Sequence, residues 1–278
     1  ERLGAQDICS LLTLPANVGF AGGNNAGLVE YRRIAASAGR ESWPEHVWLL
    51  NPDTIAEPRA LSALVDFLGG KPEAGLAGGR CLRPDGSIRP SAFRFHTPVS
   101  EFIAALDVGV LRRLLKRHDV VMPIRNEPFR ADWLSGSHLM ICRSVIDRIG
   151  LLDERFFLYF EETNFCARAA DAGFEAWHVP ASRVTHLGGR STGLTEFGPA
   201  MRRPRYWFES RARFLLRRHG VAATHAANLL WLLASPVGGA WAWLRGRRRQ
   251  DPPWFWWDFL AHNYGPGGLM YRSKEIAA

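Results

Sequence analysis

DWLSGSHLMICRSVIDRIGLLDERFFLYFEETNFCARAADAGFEAWHVPASRVTH, residues Asp132 to His186, is the stretch that decides the fold. It reads as a tryptophan-glycine turn, a short helix stopped at Gly150, and an aromatic run from Phe156 to Phe160 that ends in Glu161 and Glu162. A second helix runs through Ala170 and is stopped by Gly173, and a strand follows that ends at His186. Carboxylates where a strand-loop meets a helix, with a histidine returning later, suit metal-assisted transfer chemistry. Acids in a first helical turn also complement the helix dipole, a stabilising role worth up to roughly 1 kcal/mol. A dipole or nearby cation lowers a carboxylate's pKa, whereas aromatic burial and a like-charged neighbour raise it, so the same position suits a general base. The residues alone leave both roles open.

Upstream, strand-like and helix-like segments alternate. Ile8 to Leu14 is a candidate strand bounded by Pro15, and a turn at Gly19 to Gly23 leads into a helix over Asn24 to Ser37. Val47 to Leu50 reads as a buried strand ended by Asn51-Pro52. Leu61, Leu64, Val65 and Leu68 then follow at helical spacing until Gly69-Gly70. Such alternation predicts an α/β fold, a mainly parallel sheet with flanking helices. In such sheets ligands bind at the carboxyl ends of strands, where Asn51-Pro52-Asp53 falls. The glycine-rich GFAGGNNAG, Gly19 to Gly27, lets backbone approach a ligand and offers free amides to an anion, although any tight turn has this composition. Asp53 either holds a divalent cation or accepts from turn amides, and His186 is either a metal ligand or a satisfied polar group.

Taken together, NVGFAGGNNAG (Asn17 to Gly27), WLLNPDT (Trp48 to Thr54) and the Asp132 to His186 stretch resemble glycosyltransferase family 2, inverting enzymes of the GT-A fold. The resemblance covers roughly two thirds of the chain, and its specificity lies in the combination. It implies that Gly23, Asn24 and Asn25 border the pocket of a nucleotide-sugar donor. Asn51 and Asp53 stand where GT-A enzymes commonly carry Asp-X-Asp, with Asp53 facing Mg²⁺ or Mn²⁺ and Asn51 a neutral contact. Asp132, Trp133 and Gly136 match the segment lining the donor sugar and acceptor. Glu161, Glu162 and Asn164 stand where the family carries Glu-Asp and, after one residue, another Asp. Glu162 therefore falls on the general-base position, and His186 completes the metal coordination. Glu162 is one methylene longer than the family's Asp, and Asn164 removes a charge. These departures motivate an alternative, a catalytically impaired relative serving as a membrane-docking or assembly subunit. A metal-dependent nucleotidyltransferase is a third reading, which does not require the glutamate pair. Family members begin with a strand, a helix and a second strand before the segment matching GFAGGNN, whereas sixteen residues precede Asn17 here. The resemblance thus implies a catalytic domain, residues 1–198, without its first strands, and weak donor binding by residues 1–278 alone.

An apolar content of 47% supports a buried core and excludes global disorder. Cys9, Cys81, Cys142 and Cys166 have no metal-like spacing and read as small hydrophobes. The formal charge of +8 is concentrated beyond Gly198, in Arg202 to Arg218 and in Arg245 to Arg249. Between these clusters, after a basic helix from Arg205 to His219, lies the apolar Val221 to Leu244. Flanking arginines favour an anionic membrane surface over nucleic acid as the partner. Pro236, Gly238-Gly239, His225 and Asn228 argue against a simple span of the bilayer. Residues 199–278 are therefore expected to form either a helical hairpin lying on the membrane, with Trp254, Phe255, Trp256 and Trp257 at the interface, or a cap packed on the catalytic domain. With a lipid-linked or other glycan acceptor, this places the chain at the cytoplasmic face of the cytoplasmic membrane.

Overall fold

The computed structural model describes residues 9–37, 39, 44–187, 201–247, 249 and 251–277. Ile8, Gly198 and Arg248 from the sequence reading lie outside the described residues. In chain order the elements are α1 (Gly19–Ser37), β1 (His46–Leu50), β2 (Thr54–Ala56), α2 (Ala60–Gly69), β3 (Ala74–Leu82), β4 (Ile88–Arg89) and β5 (Ala92–Phe93). They continue with α3 (Pro98–Leu106), α4 (Gly109–Leu114), β6 (Phe129–Ala131), β7 (Trp133–Leu134), β8 (His138–Cys142) and α5 (Arg143–Ile149). The last are α6 (Glu161–Asp171), β9 (Glu175–His186), α7 (Arg205–Leu244), α8 (Phe255–Tyr264) and α9 (Ser273–Ala277). Two expected boundaries shift. Cys9 to Leu14 carries no strand, and Leu11 is exposed. The glycine-rich segment is not a turn ahead of the helix but its opening turns, because Asn17 Oδ1 accepts from the Gly19 amide at 3.0 Å and starts α1 five residues early.

The main sheet has the order β1-β8-β3-β9-β2, with β4 beside β3 and β6 beside β9. It is mixed rather than mainly parallel. β3 and β9 pair in parallel, but β8 lies antiparallel between β1 and β3, and β2, β4 and β6 are antiparallel to their neighbours. A run of alternating strands and helices does not reveal one strand inserted backwards, because both senses have the same period of two. That period sorts the core. Leu139 and Ile141 of β8 and Leu76 of β3 pack with α1, α5 and α6, whereas Met140 and Ala77 pack with Leu64 and Leu68 of α2 on the other face.

Beyond residue 200 the helical region is packed onto the rest of the chain. α7 bends at Gly220, where φ is 77°, so the helix expected to end at His219 does end its first limb there. The second limb continues through Pro236. Proline cannot donate to the carbonyl four residues back, and the Trp256 indole N–H donates to that Leu232 carbonyl instead, at 3.0 Å. A Cβ on Gly238 would lie 2.5 Å from the Ala105 and Leu106 carbonyls, so only glycine lets α3 approach. The polar members of the apolar run are internal partners. Asn228 accepts from Arg211 at 2.7 Å, and His225 meets the Tyr264 hydroxyl at 3.2 Å. Among the described residues, no helix is long and apolar enough to cross a membrane.

One buried ion pair fastens this region to α3. Arg211 donates to Glu101 Oε2 at 2.6 and 3.0 Å, and both side chains are buried. Burial pushes Glu101 up, but the Arg211 guanidinium and His96 hold it down to about 2. A carboxylate depressed in the fold stabilises above its unfolded pKa and loses that contribution as pH falls through the folded value. Stability is therefore expected to drop between about pH 4.5 and about pH 2 as Glu101 is protonated. Glu101→Gln leaves a buried guanidinium uncompensated, and urea unfolding at pH 7 should register a loss of about 3–5 kcal/mol. An unchanged midpoint would show that the pair contributes nothing to docking.

Candidate active site

The sheet brings three segments to one end. β1 leads into Asn51-Pro52-Asp53, a turn closed by the Thr54 amide donating to Asn51 O at 3.1 Å. β2 pairs antiparallel with β9 so that Thr54 stands opposite His186, and the Leu187 amide donates to Asp53 O at 2.8 Å. That register puts His186 Nε2 at 3.1 Å from Asp53 Oδ1 and 3.5 Å from Asn51 Nδ2. Because β8 runs antiparallel to β1, with His138 opposite Leu50, its entrance turn Ser135-Gly136-Ser137 reaches the same end. The Asn51 amide donates to Ser137 O at 3.2 Å.

Asp53 and His186 are buried, and Arg89 of β4 reaches His186 Nδ1 at 3.0 Å. A guanidinium only donates, so with Arg89 in place Nδ1 accepts and Nε2 carries the ring proton toward Asp53; Nε2 can ligate a cation only once that proton moves to Nδ1 and Arg89 gives way. Asp53 Oδ2 is buried with no hydrogen-bond partner among the described residues, and so is Thr54 Oγ1. Such orphans cost about 1–3 kcal/mol each unless a ligand uses them. A buried carboxylate oxygen beside an imidazole fits a divalent cation. Among the described residues no set of three His, Cys, Asp or Glu side chains converges, so the chain offers this pair.

The acidic half of the site rests on strained backbone. Tyr159 and Phe160 have φ of 69° and 65°, left-handed values that cost roughly 1–2 kcal/mol each in residues other than glycine. They turn the aromatic run abruptly into α6 and direct Glu161 and Glu162 inward. Phe157 O accepts from the Phe20 amide at 2.8 Å, and a Cβ on Gly19 would fall 2.0 Å from that oxygen. The glycine motif therefore locks the aromatic run in place. Gly136 lies against Phe20 and Glu162, where an added Cβ would sit 3.1 and 3.5 Å from them. Burial raises Glu162, while its own amide and those of Gly136 and Thr163 oppose by hydrogen bonding the carboxylate. Glu161 is raised well above the ordinary range, by burial and by the charge of Glu162. Of the two, Glu161 is raised the further and so holds a proton the more readily.

Residues 10–209 match the family described as glycosyltransferase-like family 2. The chain belongs to that family. It is 31% identical over 188 residues to the N-acetylglucosaminyl-diphospho-decaprenol L-rhamnosyltransferase of Mycobacterium tuberculosis, covering 66% of this chain and 60% of that protein. The chain thus spans about 60% of the length of this relative. Rhamnosyltransferase WbbL of Escherichia coli is 23% identical over 209 residues, covering 73% of this chain and 75% of WbbL. A structure of GalNAc-T7 with UDP, GalNAc and Mn²⁺ aligns with a TM-score of 0.47 at 13% identity, over 91% of this chain and 46% of that one.

Within this family-2 chain, the residues singled out by sequence divide into two groups. Asn51, Asp53 and His186 come together directly, and Gly136 joins them to Glu162 and Glu161. Several others are occupied by structure. Asn25 is buried, with its amide donating to Leu152 O and Glu154 Oε1 and its oxygen accepting from the Leu152 amide. Asn24 donates to Phe20 O at 2.8 Å, and nothing stands within 4 Å of a Cβ on Gly23. Asp132 is exposed and accepts from the Phe95 amide at 2.9 Å, while Trp133 stacks on Phe93 with centroids 4.1 Å apart. Arg89 was not singled out, since its only sequence signal is a basic residue in a two-residue strand. Two further histidines, His138 and His178, are buried, and desolvation holds their pKa values down to about 3 and about 4. They hold Ser182 and Ser91 as neutral groups of the sheet.

Proposed function

We propose that this chain is the catalytic portion of an inverting glycosyltransferase that moves a sugar from a nucleotide-sugar donor to a lipid-linked glycan acceptor in cell-surface polysaccharide synthesis. The carrying observation is the Asp53–His186 pair, with its orphaned carboxylate oxygen, tied through Ser135-Gly136-Ser137 to Glu162. The acceptor class rests on the mycobacterial relative, whose name specifies a diphospho-decaprenol-linked substrate. Asp53 would hold Mg²⁺ or Mn²⁺, joined by His186 once its Nε2 is free of the ring proton, and the cation would neutralise the charge of the leaving diphosphate. Before that, Arg89 fixes the His186 ring. Glu162 takes the proton of the acceptor hydroxyl as the new bond forms at the anomeric carbon and the bond to the diphosphate breaks on the opposite face. The buried, raised environment makes Glu162 a stronger base than a solvated glutamate, and the three amides keep it ionised. Glu161, raised further, competes less for the charge. The test is incubation with dTDP-, UDP- and GDP-sugars, a divalent cation and a diphospholipid-linked N-acetylglucosamine. Acceptor-dependent release of nucleoside diphosphate and an inverted product anomer are expected. Pyrophosphate release would favour a nucleotidyltransferase, and no release with any donor would favour an assembly subunit.

The second limb of α7 supports peripheral attachment at the cytoplasmic membrane face. Leu229, Leu233, Val237 and Leu244 form an exposed stripe along it, with Leu233 72% exposed. Trp243, Trp254 and Trp257 are exposed nearby in sequence. Exposed Val110 of α4 and Trp241 share one cleft with Arg113, Arg245 and Arg247. Apolar side chains framed by arginines and tryptophans fit the interface of an anionic bilayer. Leu233→Glu with Trp257→Glu should reduce sedimentation with anionic vesicles several-fold without altering the far-UV spectrum. High salt should release part of the wild-type protein, since the charge contribution is screened and the apolar one is not. Undiminished sedimentation of the double variant would rule this surface out.

A further inference from the structure

A second charged site lies on α6, beside the first limb of α7. Asn164, Ala167, Arg168 and Asp171 fall at i, i+3, i+4 and i+7 and so present one face of α6. Phe214, Arg217 and Arg218 present the matching face of α7, and the loop from Leu151 to Arg155 closes the third side. The cavity between them is about 550 Å³, within the range of ~300–1,000 Å³ for small-molecule sites. Four arginines and two aspartates line it, an excess of two positive charges.

Among the described residues the four guanidiniums share two carboxylates. Asp153 serves both Arg155, at 2.8 Å, and Arg217, while Arg218 pairs with Asp171 at 2.6 Å. Arg168 donates to the carbonyls of Leu151 and Ile149, which bear no net charge. Burial lowers the Arg168 guanidinium, Asp153 opposes, and Arg217 and Arg155 lower it further. Asn164 is 5% exposed, and its side-chain amide nitrogen is buried with no partner among the described residues. An unpartnered donor among arginines matches a tetrahedral oxyanion, which accepts several forked hydrogen bonds at once.

We propose that this cavity binds the phosphate groups of a diphosphate-class ligand, independently of the divalent cation on Asp53 and His186. Free diphosphate and a lipid-linked diphosphate share this chemistry. The test is calorimetric titration of the 278-residue chain with inorganic pyrophosphate in excess chelator, where a cation-dependent donor site contributes nothing. Saturable binding is expected, retained in Asp53→Ala and weakened about tenfold or more in Arg218→Ala. Among the described residues Arg218 pairs with a largely exposed carboxylate and lies 5.0 Å over the Phe95 ring, contacts of small net worth, so its removal spares the fold. Asn164→Leu is the second variant: it fills the cavity wall, should keep or raise the melting temperature, and should also weaken binding. Neutral phosphatidylcholine vesicles carrying a polyprenyl diphosphate identify the source. Binding that pyrophosphate competes away assigns the lipid-linked diphosphate, and binding no greater than that to vesicles lacking the polyprenyl diphosphate assigns the soluble one. No binding of pyrophosphate, binding indifferent to both variants, or binding lost in Asp53→Ala would overturn the proposal.

Discussion

Glu162→Gln is expected to lower turnover about 10²–10⁴-fold with donor affinity nearly unchanged. Glutamine matches the size of the buried side chain, and its oxygen still accepts from the Gly136 and Thr163 amides that now hold the carboxylate. What it lacks is basicity. The pH profile supplies an independent signature. Because burial raises Glu162, the rate should climb with pH through a midpoint above the ordinary glutamate value of 4.5, and Gln should abolish that limb. Glu161→Gln should act differently. A buried acid with a raised pKa loses its stabilising contribution as pH rises through the folded value, so removing it should raise the melting temperature at pH 8 with a milder effect on rate. Near-normal turnover in Glu162→Gln would remove Glu162 from the role of base.

Chelation is expected to abolish transfer, with Mg²⁺ or Mn²⁺ restoring it, and Asp53→Ala is expected to resist rescue at ordinary metal concentrations. The alanine removes the buried oxygen that lacks a partner and leaves His186 Nε2–H without its acceptor at 3.1 Å. His186→Ala leaves Asp53 and the donor phosphates, so it should raise the metal concentration needed rather than eliminate activity. Arg89→Met should lower the metal concentration needed, because Nδ1 can then carry the ring proton and leave Nε2 free to ligate. Full activity in chelator would reduce Asn51-Pro52-Asp53 to a turn.

Much of the site was legible because it is written in local pattern. Asp53 follows an apolar strand, Glu162 opens a helix that an aromatic run precedes, and His186 ends a strand, and each signal spans a few residues. Arg89 was not legible. Its meaning depends on β4 lying two strands from β9 and its His186, across β3, a relation between segments far apart in the chain. Asn25 was assigned to the donor pocket by its motif, yet its hydrogen bonds go to Leu152 and Glu154, 127 and 129 residues away. Motif position carries chemistry only as far as the partner is local.

The sequence by itself determined the strands that end at Leu50 and His186, the helix stops at Gly150 and Gly220, and the residue types that suit cation-assisted transfer, since periodicity and glycine conformation act within a few residues. Tertiary structure decided the direction of β8, which carries Gly136 to the end of the sheet where Asp53 and His186 meet. It also decided the fate of the apolar C-terminal stretch. Hydropathy registers Asn228, His225 and Pro236 only as interruptions. The fold supplies Arg211, Tyr264 and Trp256 as their partners, because a buried polar group is stable only where another element brings it a hydrogen bond.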